Sequence, residues 1–229
     1  MNRFVRAVSA LLLATLLTSG RARAEDRVYR WSIQVGSGAS YITSNTLDFL
    51  AASDAMQVGE IRVGYVPDIW NNHFEIDLGY VGTSLTGTAF QTWQTELQVH
   101  SLQLGLRYLQ PLGRYFSAYG RAAGILQFDG VSVSPGDNSL PSAVLGQWVT
   151  TGGLLLNAGL EWHIYSWVPA QLGLLAEFGY AFVGAAAFNH VTANIQAGSS
   201  PSSIPIASQK LGTLDPSGIQ WRLAAAVHF

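Results

Sequence analysis

The chain contains no cysteine. That excludes a disulfide framework, a thiolate metal site and a cysteine nucleophile. Charge is also scarce: Asp, Glu, Lys and Arg make up 11% of the 229 residues, against about 25% in soluble domains. Long apolar runs are missing beyond the amino terminus, where no segment offers about 20 uninterrupted apolar residues for a membrane helix. Glycine and β-forming residues interrupt every helical stripe, yet 48% of the chain is hydrophobic. The length suits one domain, and what fills it reads as strand.

The amino terminus reads as an export signal. Arg3 and Arg6 form a positive region, Ala7 to Leu17 a short apolar one, and Ala22-Arg23-Ala24 an A-x-A cleavage site. Residues 1–24 are therefore expected to be a cleaved secretory signal peptide, exported by the general secretory route, with 25–229 as the mature domain. Removing Arg3, Arg6, Arg21 and Arg23 from the 12 basic residues leaves eight against 14 acidic ones, a net charge near −6. An acidic chain argues against nucleic acid as a partner.

The last eleven residues organise the rest. Ile219, Trp221, Leu223, Ala225, Val227 and Phe229 form one apolar row, and Gln220, Arg222, Ala224, Ala226 and His228 the other. About ten alternating residues cross a bilayer at a tilt. Seven earlier segments alternate likewise: about 29–41, 57–66, 73–85, 97–109, 115–128, 149–163 and 170–183. The start of the fourth is out of phase, which calls for a bulge or an earlier boundary. Short turns at Pro67, Pro111 and Pro169 alternate with longer polar connections, the longest Gly184 to Ser217. The expectation is an all-β, eight-stranded, antiparallel up-and-down transmembrane barrel, closed because unpaired strand edges are intolerable in lipid. Trp31, Tyr65, Phe74, Tyr108, Phe116, Trp162 and Phe229 would form one aromatic girdle, and Tyr41, Tyr80, Phe128, Tyr180 and Phe182 the other.

Opposite the apolar rows stand Arg30, Arg62, Arg107, Arg121 and Arg222 with Glu60, Glu75, Asp77, Glu161 and Glu177. Eight strands leave room inside only for side chains, so these charges are expected to pair and fill the lumen. The alternative is a narrow gated ion or water channel along the same charges. The outer connections carry Asp48, Asp54, Glu96, Asp129, Asp137 and Asp215 against Lys210 alone, a mildly acidic set that reads as merely soluble loops, with divalent cations shared with lipopolysaccharide phosphates as the alternative. His73, Glu75 and Asp77 share a strand face, but steps of about 6.5 to 7 Å spread them too far for one ion; no metal and no cofactor is expected. His100 with Ser101, and His190 with Thr192 and Asn194, are the pairs an outer-membrane lipid A acylase or deacylase would use. Strand neighbours point to opposite faces, so an enzyme is not expected.

Leu104-Gly105-Leu106-Arg107-Tyr108-Leu109-Gln110-Pro111, Ala118-Tyr119-Gly120-Arg121-Ala122-Ala123-Gly124, Ala176-Glu177-Phe178-Gly179-Tyr180 and the terminal Val227-His228-Phe229 resemble the small eight-stranded bacterial outer-membrane barrels grouped around the OmpA transmembrane domain and OmpX. The resemblance covers essentially the whole mature length and is one of class. It implies a porin-like, monomeric outer-membrane protein in contact with lipid and lipopolysaccharide. It also implies that the barrel-assembly machinery reads the terminal strand, here Trp221, Leu223, Val227 and Phe229. Unlike OmpA, no peptidoglycan-binding domain is expected after the barrel. A structural role, or contact with a surface ligand through the outer loops, is the function this implies.

Overall fold

Alternating segments become strands when one face meets an apolar medium and the other a packed interior. A computed structural model describes residues 29–42, 55–68, 73–89, 93–135, 143–167, 170–188, 192–195 and 212–229. The segment read as a signal peptide, 1–24, lies outside them. The strands are β1 (Trp31–Ile42), β2 (Ala55–Tyr65), β3 (Phe74–Ala89), β4 (Trp93–Pro111), β5 (Phe116–Pro135), β6 (Ala143–Trp167), β7 (Ala170–Val183), three short strands β8 (Ala186–Phe188), β9 (Thr192–Ile195) and β10 (Gly212–Leu214), and β11 (Gly218–His228).

Each of β1 to β6 pairs antiparallel with the next, β7 pairs with β11, and β11 returns to β1. Ser32 stands opposite His228 and Ile42 opposite Gly218, so the eight long strands close on themselves and leave no edge around the barrel. Both ends of the described chain meet at the tight-turn end, where the Trp31 amide donates to the Phe229 carbonyl at 2.9 Å. No helix among the described residues is long and apolar enough to cross a membrane; strands do the crossing.

The outer face is a band of exposed apolar side chains that includes Ile33, Val35, Ile61, Leu78, Leu104, Leu160, Phe178 and Leu223. Aromatic pairs sit on adjacent strands at the tight-turn end: Trp31 with Tyr65 at 4.7 Å, Phe74 with Tyr108 at 5.2 Å, and Phe116 stacked on Trp162 at 6.2 Å between ring centroids. Toward the loop end Tyr180 and Phe182 pair at 4.7 Å, and His100 lies between the rings of Tyr80 and Trp148.

Two segments expected as loops are strand instead. The β3–β4 ladder runs on to Ala89 opposite Trp93, and the β5–β6 ladder to Val133 opposite Leu145. The out-of-phase start of the fourth segment is no bulge either, since both ladders of β4 keep an unbroken register. What changes there is polarity. Below His100, Ser101, Gln103 and Arg107 point inward and Leu102, Leu104 and Leu106 outward; above it, Leu97 and Val99 are buried inside while Glu96 and Gln98 take the outer face. Val131 and Val133 repeat the inversion on β5. A strand leaving an apolar surround for water must turn its apolar row to the inside, and the period of two is kept throughout.

Candidate functional site: the lumen

The inward rows stack into tiers. At mid-height Arg62 is the hub: its Nη2 lies 2.7 Å from Glu60 Oε1, its Nη1 3.0 Å from Glu177 Oε1, and its Nε 3.6 Å from Asp77 Oδ1. Arg222 spans the same two glutamates, at 2.7 Å from Glu60 and 2.6 Å from Glu177. Arg121 holds Asp77 at 2.5 Å and donates to Gln103 Oε1 at 3.1 Å. Gln34 accepts from Arg222 at 3.2 Å and from Arg62 at 3.4 Å, and donates toward Glu75 at 3.4 Å. It joins this tier to the one below.

The lower tier is built on Arg107, which reaches Glu75 Oε2 at 2.5 Å and Glu161 Oε2 at 3.7 Å, its guanidinium lying over the Tyr119 ring at 4.8 Å. Ser32 donates to Glu75 at 2.9 Å. Glycine makes room for these groups. A Cβ on Gly105 would stand 2.7 Å from Asp77 Oδ2 and 2.8 Å from Arg121 Nε, and one on Gly64 would collide with Glu75 and Ser32. Above the charges comes an apolar layer of Ala123, Ile125, Leu155, Ala181 and Val183. Between them a cavity of about 30 Å³ is bordered by Glu60, Asn157, Glu177 and Arg222, large enough for a water molecule.

At the loop end the chain packs a small apolar plug inside the wall. β8 and β10 pair with each other, and Ala186, Phe188 and Leu214 are fully buried against Ile42, Met56, Leu97, Val99, Val131 and Val133. Nothing in the sequence announces this plug, because the Ser/Pro/Ala-rich stretch 184–217 reads as loop. Its signal is slight: Phe188 and Leu214 stand 26 positions apart, and only the fold brings them together.

Nine of the ten charged residues expected inside line the lumen. Arg30 does not. It precedes the first rung of β1, stands half exposed at the rim, and pairs with Asp68 at 2.5 Å, which raises the guanidinium pKa further above its ordinary value. Asp129, expected among the outer connections, is buried on the inward row of β5, where Gln127 donates to it at 2.8 Å and Thr151 at 3.3 Å. Glu96 is on β4 rather than in a loop, and accepts from Gln98 at 2.8 Å. Asp215 accepts the Ser217 amide at 3.0 Å; Asp48, Asp54, Asp137 and Lys210 lie outside the described residues. Trp221, Leu223, Val227 and Phe229 all face outward.

Of the residues weighed for metal or nucleophilic chemistry, His73 bonds the Leu109 carbonyl at 3.1 Å while Glu75 and Asp77 turn to different arginines. No three His, Asp or Glu side chains among the described residues are arranged to hold a metal ion. His100 points outward to Tyr80 Oη at 2.7 Å, and Ser101 is buried inside. His190 lies outside the described residues. A different group, which alternation along the chain does not reveal, gathers at the tight-turn end. His228 Nε2 is hydrogen-bonded to Glu161 Oε1, His163 Nδ1 lies 3.7 Å from the same oxygen, and Ser117 Oγ is 3.0 Å from His163 Nε2. The order Ser–His–Glu resembles a nucleophile relay, but Ser117 is 3% exposed.

No family model matches the sequence, and no curated protein matches it. Solved structures do. The attachment invasion locus protein Ail of Yersinia pestis, in complex with the heparin analogue sucrose octasulfate, superposes with a TM-score of 0.50 at 15% identity, over 88% of this chain and 99% of that one. Neisserial surface protein A matches at 0.50 and 14%, over 86% and 95%, and a major outer membrane protein from Thermus thermophilus at 0.50 and 12%, over 87% and 99%. The fold is that of the small outer-membrane barrels.

Proposed function

We propose that this chain is an integral protein of a bacterial outer membrane whose sealed barrel carries a raised β-sheet and its connections outside the cell. The tight turns then face the periplasm. One observation carries the reading: the lumen is filled twice over, by paired charges in the lower tiers and by the β8–β10 plug packed in the apolar upper tier. A wall filled in this way is an anchor, and what it presents is the upper part of β3 to β6. Membrane integrity or surface contact is the role that follows, with lipid and lipopolysaccharide around the band and Phe229 read by the assembly machinery on insertion.

The Ail structure holds a polyanion, but the outer segments here carry Asp48, Asp54, Glu96, Asp137 and Asp215 against Lys210. Charge therefore favours a basic partner, or divalent cations shared with lipopolysaccharide phosphates, over a sulfated sugar. Planar-bilayer recordings on the refolded protein, beside the heat-modifiable gel shift of a closed barrel, test the reading. The expected result is a shifted band and no conductance steps. Charge-selective steps that vanish when Arg62 or Glu177 is replaced would instead establish the gated path, which the shared Arg62–Glu177–Arg222 contacts and the adjoining cavity favour as the second reading. An unchanged lipid A mass profile with and without the protein is expected; an altered one would mean an enzyme.

A further inference from the structure

Six arginines fall among the described residues. Arg62, Arg107, Arg121 and Arg222 are paired with carboxylates in the lumen, and Arg30 with Asp68 at the rim. Arg114 is the exception. It is exposed, and among the described residues it is the one arginine that reaches no carboxylate; its guanidinium lies over the neighbouring Tyr115 ring, 5.4 Å from the centroid. A cation left over in this way is open to an anion outside the chain.

The company it keeps says which anion. Arg114 stands in the tight turn between β4 and β5, where Gly113 takes the positive φ of 131° that brings the chain round. The turn is held on both flanks, since the Leu112 amide donates to the Phe116 carbonyl and the His163 amide to the Tyr115 carbonyl, each at 2.8 Å. Leu112 and Tyr115, on either side of the arginine, are 54% and 53% exposed. Next along the wall comes the stacked pair of Phe116 and Trp162, both facing outward, the kind of aromatic pair that marks the edge of the hydrocarbon. A strand rises about 3.3 Å per residue, so Arg114 stands at most about 7 Å beyond Phe116. The headgroup layer is about 5–7 Å deep on each side of the hydrocarbon. The guanidinium therefore lies among the headgroups, with apolar side chains beside it.

We propose that the turn Leu112 to Tyr115 binds the phosphodiester of a phospholipid in the periplasmic leaflet, an inference that rests on the membrane reading above. Arg114 donates its paired N–H groups to the phosphate oxygens, Tyr115 holds the guanidinium from behind, and Leu112 and Tyr115 rest against the glycerol and the first methylenes of the same lipid. An acidic protein or a soluble anion would satisfy the charge and leave the two apolar side chains in water; a phospholipid meets all three. The contact tethers the tight-turn end at a fixed depth and holds whether or not the lumen conducts.

The test is rotational-echo double-resonance NMR between isotope-labelled arginine Cζ carbons and lipid phosphorus, on the folded full chain in vesicles of phosphatidylethanolamine and phosphatidylglycerol. The wild type is expected to show one Cζ signal dephased by phosphorus, and R114Q to lose it, with the heat-modifiable band shifted in both. Should R114Q not fold, R114K keeps the charge but has no Cζ, and loss of the dephased signal there assigns it equally. A shifted band without dephasing in the wild type would overturn the lipid site and leave the barrel standing; an unshifted band would remove the membrane reading and the site with it. Dephasing that survives both substitutions would put the phosphate on another arginine and overturn the proposal. Inorganic phosphate added to the barrel in octyl glucoside micelles, which contain no phosphorus, separates the sources: no dephasing is expected, and dephasing equal to that in vesicles would mean a site for free phosphate instead of lipid.

Discussion

The lower and upper parts of this barrel obey opposite rules with one backbone. Below the level of His100 the charged side chains are inside and the outer row is apolar; above it Leu97, Val99, Val131 and Val133 are inside and Glu96 and Gln98 outside. The hydrogen-bonded ladder passes through the change without a register shift in β4. Which face of a strand is apolar is thus set by the medium around it. In lipid, the exterior takes the apolar row and the polar groups must satisfy each other within; in water, an ordinary core suffices.

The two parts should therefore fail differently. The largest loss is expected from Arg62→Ala, which leaves Glu60 and Glu177 to Arg222 alone; breaking such a buried network costs about 3–5 kcal/mol, read as a lowered urea midpoint of the heat-modifiable band. Phe188→Ala empties the plug of its largest fully buried side chain and should cost about 3 kcal/mol. The gel shift should persist, because the lower tiers keep their pairs; loss of the shifted band would show that the upper core supports the whole barrel. Gly105→Ala forces the Asp77–Arg121 pair to move and should cost about 1–3 kcal/mol, whereas Gly124→Ala, which meets nothing within 4 Å, should leave the urea midpoint unchanged. Arg30→Ala should change it least of all, since its pair with Asp68 is exposed at the rim and water screens such pairs; a drop comparable to that of Arg62→Ala would place Arg30 within the network after all.

Much of this is legible in the residues. Alternation in β1, β3 and β11 places Ile33, Leu78 and Leu223 outside and Gln34, Asp77 and Arg222 inside, because a strand's period of two lets one position assign all the others. Glu161 and His163 stand two apart and so share a face, and His228 lies on the inward row of the last strand. Their meeting depends on the pairing of β6 with β7 and of β7 with β11, which alternation within a strand does not report. Arg30 departs from its expected place for a related reason: parity extends past the end of a strand, but the wall does not. The polarity inversion above His100 shows in the sequence as a phase fault, which a bulge would produce equally well, because a single strand carries no mark of where its surroundings change.

The class of fold, the number of crossing strands and the facing of most side chains follow from periodicity, from the scarcity of charge and from the need to pair every backbone group in lipid. Which charges meet, that Glu161 has two histidines beside it as well as Arg107, and that β8 and β10 pack inside the upper wall all depend on the closed fold. Those contacts join residues far apart along the chain, and closing the barrel is what brings them within reach.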